Sequence, residues 1–282
     1  MSELRSGGGV KTVGSFFRLL ELDASQAAEH PDVFDRLRRS DIHGLLLHNV
    51  YAPAMMRAVG ERLERHDPPF LKTWFPEEFH SWFYGRNLNL AHPELLGYFQ
   101  EAELFNEQLE TLLPDGLGVT GYLADLLASL DGGRRFHAPP GPRPGQQYMF
   151  TTVRCHMEGG YIPPHLDNEF ALRRSYRHLR SIVEPPILSF VLCVAEASDG
   201  GALEIFDFRQ DTSGTFEVSG PIEPDISDLD SVEFRIPPGS VIVIDSGRYL
   251  HRVTPVVGSQ ARWTLCSFMA RGKDHESMYC WG

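Results

Sequence analysis

The sequence predicts an α+β fold, in which helices from the first half of the chain pack on one sheet of a jelly-roll, cupin-like core. Apolar residues recur at helical spacing in the first half, most clearly over Pro93–Leu113. From Tyr148 onward, short segments rich in β-formers alternate with turn signals such as Gly159-Gly160 and Pro237-Pro238-Gly239. Short strands with this punctuation are typical of double-sheet β folds, so we expect two packed sheets in the second half.

One domain accounts for nearly all of the chain. At 282 residues the sequence is long enough for one large domain, and no internal repeat or linker divides it. We expect a flexible, Gly-rich tail at residues 1–14 and a single domain at 15–282. Within that domain, residues 15–147 supply helical support and residues 148–282 form the jelly-roll core.

The first half is predicted to be mostly helical, with a buried strand at Ile42–Val50. In chain order, we expect a helix at Ala27–Arg39 with Pro31 near its first turn, a helix from Pro53 through Leu63, helices at Pro93–Leu113 and Thr120–Leu130, and a Pro- and Gly-rich loop at Asp131–Gln147. The aromatic stretch Pro68–Asn89 follows no clear period. It therefore either forms a packed loop or lines a pocket.

The second half is predicted to contain seven strands. They are Tyr148–Met157, Ile187–Val194, Ala202–Phe208, Ser231–Ile236, Ser240–Asp245, His251–Val256 and Ala261–Ala270. Two insertions interrupt them. The basic run Arg173–Arg180 is either a lid that attracts an anionic substrate or a solvated helix face. The acidic stretch Arg209–Asp230 is predicted to be a surface excursion, that is, a loop exposed at the surface.

Composition excludes several classes of function. The net charge is −12, whereas a nucleic-acid-binding surface is basic, so we expect no nucleic-acid partner. The longest apolar runs, such as Ile187–Ala195, are too short to span a membrane, and the polar start lacks a signal peptide. The four cysteines show no C-x-x-C spacing and are expected to be reduced and buried. A cytoplasmic location fits these features.

Two histidines and one carboxylate are candidate ligands of a metal. His165 and Asp167 are two positions apart, and such residues on an extended strand point to the same face. His251 lies on a later predicted strand and is the best third ligand. Two histidines and one carboxylate on one face of a metal form the facial triad of non-haem Fe(II) oxygenases. The alternative is that each is a structural residue, with His165 in a turn and His251 in the core.

Arg262 and Thr264 extend this interpretation to a cosubstrate. Oxygenases with a facial triad use 2-oxoglutarate together with O2, and the distal carboxylate of 2-oxoglutarate needs a fixed cation. A guanidinium offers a planar fork of donors to a carboxylate, and Thr264 on the same strand face can add a hydroxyl. Arg154, on the strand before the metal segment, either lies near the cosubstrate or pairs within the core.

These segments resemble the carrier-protein-independent alkaloid halogenases of the welwitindolinone and ambiguine type. The resemblance is strongest over Gly247–Gly258 and Arg262-Trp263-Thr264, and it continues in Thr152-Val153-Arg154, His165, Asn168 and Phe170. It also covers Leu188-Ser189-Phe190, Gly200–Leu203, Tyr84-Gly85, Pro93-Glu94-Leu95, Tyr98-Phe99 and Tyr279-Cys280-Trp281. The resemblance therefore spans most of the chain and implies a double-stranded β-helix oxygenase that needs no carrier protein.

One departure from the family pattern changes the expected chemistry. The halogenases carry a glycine where this chain has Asp167, and the missing carboxylate leaves them a position for chloride. The resemblance therefore implies hydroxylation or a related oxidation of a free small molecule, such as a natural-product intermediate, with release of succinate and CO2. It also implies a substrate cavity, to which we assign His80, Ser81, Phe83, Asn87, Asn89 and Ser189.

Other readings remain open at the level of sequence. The same site can desaturate, epoxidise or close a ring, because these outcomes depend on how the substrate is held. A cupin-like protein that binds a metal or ligand without turnover is a second alternative, which Arg262 disfavours. A protein or peptide hydroxylase is a third, for which we find no peptide-binding signature.

Overall fold

The computed structural model of the protein describes residues 9–210, 216 and 225–282. Most of the predicted surface excursion Arg209–Asp230 lies outside these residues. So does the start of the predicted tail. Residues Gly9–Val13, however, form a strand that pairs with Phe17–Asp23. The prediction of a flexible tail is therefore wrong for residues 9–13. Its residues are exposed apart from the half-buried Val13, so no alternation of buried residues marks the strand in the sequence, and pairing with Phe17–Asp23 holds it at the sheet edge.

The described residues contain seventeen strands and six α-helices. The strands are β1 Gly9–Val13, β2 Phe17–Asp23, β3 Gly44–His48, β4 Lys72–Trp74, β5 Ser81–Tyr84, β6 Arg135–His137, β7 Thr152–His156, β8 Ile162–His165, β9 Val183–Ala195, β10 Asp199–Gly200, β11 Leu203–Arg209, β12 Ser231–Phe234, β13 Val241–Ile244, β14 Tyr249–Val253, β15 Val256–Val257, β16 Arg262–Gly272 and β17 Ser277–Trp281. The helices are α1 Val33–Arg38, α2 Pro53–Glu64, α3 Tyr98–Glu110, α4 Ala124–Ser129, α5 Asp167–Phe170 and α6 Arg177–Ile182. Single 3-10 turns cover Ala24–Glu29, Glu77–Phe79, Leu88–Leu90, Arg174–Tyr176 and Ile226–Asp228, and a π turn covers Val119–Leu123.

Two main sheets form the core. The larger has 11 strands with the order β1-β2-β3-β13-β9-β16-β7-β5-β4, and β17 joins it between β16 and β6. The smaller has 4 strands in the order β12-β11-β14-β8. The chain crosses repeatedly between the two sheets, as in a double-stranded β-helix, so the predicted α+β jelly-roll fold is confirmed.

Apolar packing occurs on both faces of the large sheet. On one face, side chains such as Val153, Leu265 and Trp263 meet the helices through Phe105, Leu109 and Leu127. On the other face, Ile242, Ile244 and Phe17 meet Leu203, Ile205 and Phe234 of the small sheet. Alternation along β16 thus sends one set of residues to the helices and the other set into the space between the sheets.

Several element boundaries differ from those predicted. The helix expected at Ala27–Arg39 is a 3-10 turn ending at Glu29 followed by α1, because Pro31 interrupts the run between them. The first half also contributes the strands β2, β4 and β5 to the large sheet. No regular alternation of apolar residues marks these strands in the sequence, and β5 in addition pairs with β7, which is distant in the chain. No helix in the described part of the chain is long and apolar enough to cross a membrane.

Candidate metal centre

His165, Asp167 and His251 come together between the two sheets. His165 is the last residue of β8, and it lies opposite His251 of β14 in the antiparallel register. Asp167 is the first residue of α5. One ligand atom from each of the three residues lies within 4.8 Å of the others. His165 Nε2 is 3.5 Å from Asp167 Oδ1, and His251 Nε2 is 3.9 Å from Asp167 Oδ2.

The predicted reason for this convergence needs a correction. His165 and Asp167 do not share one face of a strand, because β8 ends at His165 and a helical turn begins at Asp167. β8 is an edge strand with Pro163 and Pro164 in it, and proline is tolerated there because an edge strand leaves part of its backbone unpaired. The helical turn after β8 directs the Asp167 carboxylate toward the two histidines.

Backbone carbonyls fix the tautomers of both histidines. His165 Nδ1 is 2.7 Å from the carbonyl oxygen of Pro163, and His251 Nδ1 is 2.9 Å from that of Tyr249. A carbonyl only accepts, so each Nδ1 carries the proton and each Nε2 directs a lone pair toward the centre of the triad. Burial lowers the pKa of His165 well below its usual value, and the neighbouring His251 lowers it further. His165 is therefore a neutral imidazole, which is the form that binds a metal.

The carboxylate of Asp167 is buried and suited to a cation. Burial raises its pKa above the usual value. Among the described residues, Oδ1 has no hydrogen-bond donor. A buried carboxylate oxygen without a donor, facing two imidazole lone pairs, fits a divalent metal ion, and the two-nitrogen, one-oxygen donor set fits Fe(II).

The loop Asp245–Arg248 supports the backbone of Asp167. The backbone N–H of Asp167 donates to the carbonyl of Ser246 at 3.0 Å. A buried ion pair closes the loop, with Arg248 Nε donating to Asp245 Oδ2 at 2.7 Å. Gly247 packs so closely on Asn168 that a Cβ there would collide with the Asn168 side chain. The direction of the carboxylate therefore depends on this loop as well as on the local turn.

Arg262 lines the same cavity as the three candidate ligands. It is buried, and in the described part of the chain its guanidinium has no hydrogen bond or ion pair. A Cβ at Gly201 would lie 2.9 Å from Cδ of Arg262, so glycine at that position makes room for the arginine stem. Glu196 is near enough to act on Arg262 through its charge, but the two form no ion pair, so the buried guanidinium is left to bind an anion.

Arg154 also faces the cavity, whereas Thr264 stands beside it. The Arg154 guanidinium lies between two rings, 5.3 Å from the centroid of Phe83 and 5.7 Å from that of Phe268. Thr264 is opposite Arg154 in the register and fully buried, but it is not among the residues that line the cavity. Its hydroxyl lies 3.4 Å from Cys266 Sγ.

His156 belongs to the cavity and is absent from the predicted site. It is fully buried and lines the cavity with Arg154 and Arg262. The signal was present in the sequence, because Arg154 and His156 are two apart on a strand and share one face. Without the strand register, His156 was indistinguishable from a histidine of the core.

The residues predicted to contact substrate separate into two groups. Ser189 lines the metal cavity, whereas Phe83 lies next to a lining residue, with its ring centroid 5.3 Å from the Arg154 guanidinium. The other four do not line this cavity either. Ser81 and His80 border a neighbouring surface groove beside Trp74 and Met157. Asn87 caps the turn Leu88–Leu90 by accepting from the N–H of Asn89 at 2.8 Å, and this contact gives it a structural role. A role in substrate binding stays a prediction for all six residues.

The basic segment Arg173–Arg180 forms one wall of a larger surface cleft of about 760 Å³, which none of the candidate ligands lines. Tyr176 and Leu179 are buried, while Arg174 pairs with Glu94 at the surface. The segment thus packs by an apolar side and exposes arginine side chains, in agreement with a solvated helix face. Its role as a lid stays a prediction.

Comparisons with known proteins show the fold and the family of the chain. Two solved structures of an N-substituted L-amino acid dioxygenase from Burkholderia ambifaria AMMD resemble the chain over most of its length. The first has a TM-score of 0.55 at 14% identity and covers 91% of this chain and 91% of that chain. The second, in complex with alpha-ketoglutarate, has a TM-score of 0.54 at 13% identity and covers 89% and 91% of the two chains. These likenesses show the fold.

A prolyl-4-hydroxylase from Pseudomonas putida is more distant, with a TM-score of 0.43 at 16% identity over 87% of this chain and 98% of that chain. The comparison with curated proteins found no matching sequence. The family comparison covers nearly the whole chain, since residues 16–282 match the model described as carrier-protein-independent halogenase WelO5. The chain therefore belongs to the family of the carrier-protein-independent halogenase WelO5, as its sequence motifs predicted.

Proposed function

We propose that this protein is an Fe(II)- and 2-oxoglutarate-dependent oxygenase that hydroxylates, or otherwise oxidises without halogen, an unactivated C–H bond of a free small molecule. The observation that carries the proposal is the Asp167 carboxylate, which converges with His165 and His251. The family match supports a small-molecule substrate that is not tethered to a carrier protein. When bound, iron with 2-oxoglutarate and O2 supplies the oxidant for the C–H bond, and succinate and CO2 are released.

Each residue of the cavity has a separate role in this proposal. His165 and His251 present their Nε2 lone pairs, and Asp167 presents a carboxylate oxygen. Arg262 receives the distal carboxylate of 2-oxoglutarate, because it is buried in the cavity wall and its guanidinium forms no ion pair in the described part of the chain. Ser189 lies in the cavity wall and is placed to orient the substrate or a metal-bound group. The enclosing sheets exclude water from the reacting atoms.

Asp167 is the reason for proposing oxidation without halogen. A metal held by His165, His251 and Asp167 would already carry a carboxylate where the halogenases have a glycine. With the keto acid and O2 also bound, it would have no place for a halide ion. Halogenation is nevertheless the second candidate function, because the matching family is one of halogenases.

A binding experiment tests the proposal at its first step. Anaerobic addition of Fe(II) and 2-oxoglutarate is expected to give the visible charge-transfer band of a metal-chelated keto acid. His251→Gln is expected to abolish the band. His137→Gln is the matched control, since His137 lies outside the cavity and contacts Ser277, and it is expected to keep the band. No band and no calorimetric binding of 2-oxoglutarate by the wild type would favour a cupin-like protein without turnover.

Turnover then distinguishes the two chemistries. A panel of small molecules is screened in air for succinate release, with and without chloride or bromide. Products are identified by mass spectrometry. A gain of one oxygen atom, or a loss of two hydrogen atoms, in both media supports the proposal. A halogenated product from the wild type contradicts it and supports the second candidate.

A further inference from the structure

His156 is a buried polar side chain without a partner. It is 0% exposed, and neither Nδ1 nor Nε2 has a hydrogen-bond partner among the described residues. Buried polar atoms in folded proteins are nearly always hydrogen-bonded, since an unpaired one loses its contact with water without compensation. Two unpaired nitrogens on one ring, in the wall of a cavity, point to a ligand that supplies the missing contact.

The strand register fixes where that ligand lies. Ser81 of β5, His156 of β7 and Arg262 of β16 lie opposite one another in adjacent antiparallel strands. Directly opposed residues have Cβ atoms about 5 Å apart, so the imidazole and the guanidinium can reach one small group between them. His156 and Arg262 both line the cavity that holds the candidate metal ligands.

We infer that His156 is a second anchor for 2-oxoglutarate, donating an N–H from its ring to the distal carboxylate beside Arg262. The inference rests on the proposed function and adds a residue that the sequence motifs did not assign. Arg262 offers the fork of a guanidinium, and the carboxylate has lone pairs left over for a further donor. His156 is therefore a positioning residue for the cosubstrate.

The imidazole acts in its neutral form. Burial lowers the pKa of His156 well below its usual value, and the positive charges of Arg262 and Arg154 lower it further. A third positive charge in this enclosed space would be costly. A neutral ring still keeps one N–H, so it can donate without adding charge.

Two ligands and two variants test the inference. We would measure the affinity of anaerobic, Fe(II)-loaded protein for 2-oxoglutarate by calorimetry and by the charge-transfer band. The second ligand is 2-oxopentanoate, which has the same chelating end but no distal carboxylate. His156→Leu is expected to lower the affinity for 2-oxoglutarate about 10- to 100-fold, which is the effect of losing one hydrogen bond to a charged group. It is expected to leave the affinity for 2-oxopentanoate within about twofold of the wild type, because that ligand has no group for His156 to bind.

His156→Gln is the conservative variant and retains a side-chain N–H donor. It is expected to recover part of the affinity for 2-oxoglutarate, and it decides the question if His156→Leu does not fold. His137→Gln, which alters a histidine outside the cavity, is expected to bind both ligands as the wild type does. Circular dichroism and bound iron verify that each variant is folded and loaded.

Three results would overturn the inference while leaving the proposed function intact. In the first, both variants bind 2-oxoglutarate as tightly as the wild type. In the second, the affinities for 2-oxoglutarate and for 2-oxopentanoate fall equally, which would place His156 at the chelating end of the ligand. In the third, only the KM of the substrate changes. Failure of the wild type itself to bind 2-oxoglutarate would instead refute the proposed function.

Discussion

His165 Nε2 lies 3.5 Å from Asp167 Oδ1, although the strand that carries His165 ends before Asp167 begins a helical turn. The contact therefore depends on a chain reversal and on the loop Asp245–Arg248, whose Ser246 carbonyl accepts from the Asp167 backbone. Asp167 is the candidate ligand that distinguishes this chain from the pattern of the halogenases it resembles, and its position depends on tertiary contacts as well as on the local turn.

Asp167→Gly is expected to open a metal position for a halide. The change removes one ligand and raises the net charge at the metal by one unit, which favours an anion there. We expect weaker iron binding, partial halogenation in added chloride or bromide, and persistent hydroxylation. Mass spectrometry of the products measures the ratio. Asp167→Asn keeps an amide oxygen for the metal and is expected to give no halogenated product. Halogenated product from the wild type would show that Asp167 does not block the halide position.

Arg262→Lys is expected to weaken the binding of 2-oxoglutarate while iron stays bound. A lysine ammonium cannot replace a bidentate fork, and a hydrogen bond to a charged group contributes about 1.5–3 kcal/mol. The half-saturating concentration of 2-oxoglutarate should therefore rise about 10- to 100-fold. Arg252→Lys is the control, because Arg252 pairs with Glu204 and does not line the cavity. An unchanged value for Arg262→Lys would place the anchor elsewhere, with Arg154 the next residue to test.

Phe83→Ala is expected to alter substrate selection more than cosubstrate use. Phe83 is buried and packs on the Arg154 guanidinium at the cavity wall, so its removal leaves space there. The ratio of product formed to succinate released should fall, while turnover of 2-oxoglutarate without substrate should change little.

Asn87→Leu is a companion variant. The cap that Asn87 forms on Asn89 predicts a loss of stability of about 1 kcal/mol, and a changed product distribution would assign it to the substrate pocket as well.

Acid is expected to destabilise the fold, in part through His43. Burial and the nearby positive charges of Arg18 and Arg209 lower the pKa of His43 to about 4. Its ordinary pKa is 6.5, so the unfolded chain takes up a proton at a higher pH than the folded protein does. The stabilising contribution of neutral His43 is therefore present above pH 6.5 and is lost as the pH falls toward 4.

Urea unfolding at pH 7 and pH 5 measures this effect. We expect His43 to account for a loss of about 1–2 kcal/mol in the free energy of unfolding between the two pH values. In His43→Gln, which has no group that titrates in this range, the loss should be smaller by that amount. An equal loss in wild type and variant would mean that other histidines cause the acid sensitivity.

Arg248→Met is expected to destabilise the protein and to weaken iron binding together. Asp245 and Arg248 form a buried pair, and removing one partner of such a pair costs about 3–5 kcal/mol, since the other charge stays buried alone. The loop that accepts the Asp167 N–H is expected to shift with it. Arg39→Met removes an ion pair that is largely exposed to solvent and should cost under about 1 kcal/mol. Normal iron affinity in a destabilised Arg248→Met protein would show that the loop supports only the fold.

The sequence by itself supplied the candidate residues of the site. His165, Asp167, His251 and Arg262 were predicted from residue type and spacing, because few side chains bind Fe(II) or a carboxylate in this combination. Turn residues likewise marked the strands of the second half, since glycine and proline act locally on the backbone. Both kinds of signal are short-range and can be read from neighbouring residues.

Tertiary structure alone decided how the strands pair and what their side chains face. His156 lies opposite Arg262, and Arg154 lies opposite Thr264. Both pairs depend on the register of β7 and β16, which are far apart in the chain. A strand register depends on long-range packing, and a shift of one residue would turn His156 to the opposite face.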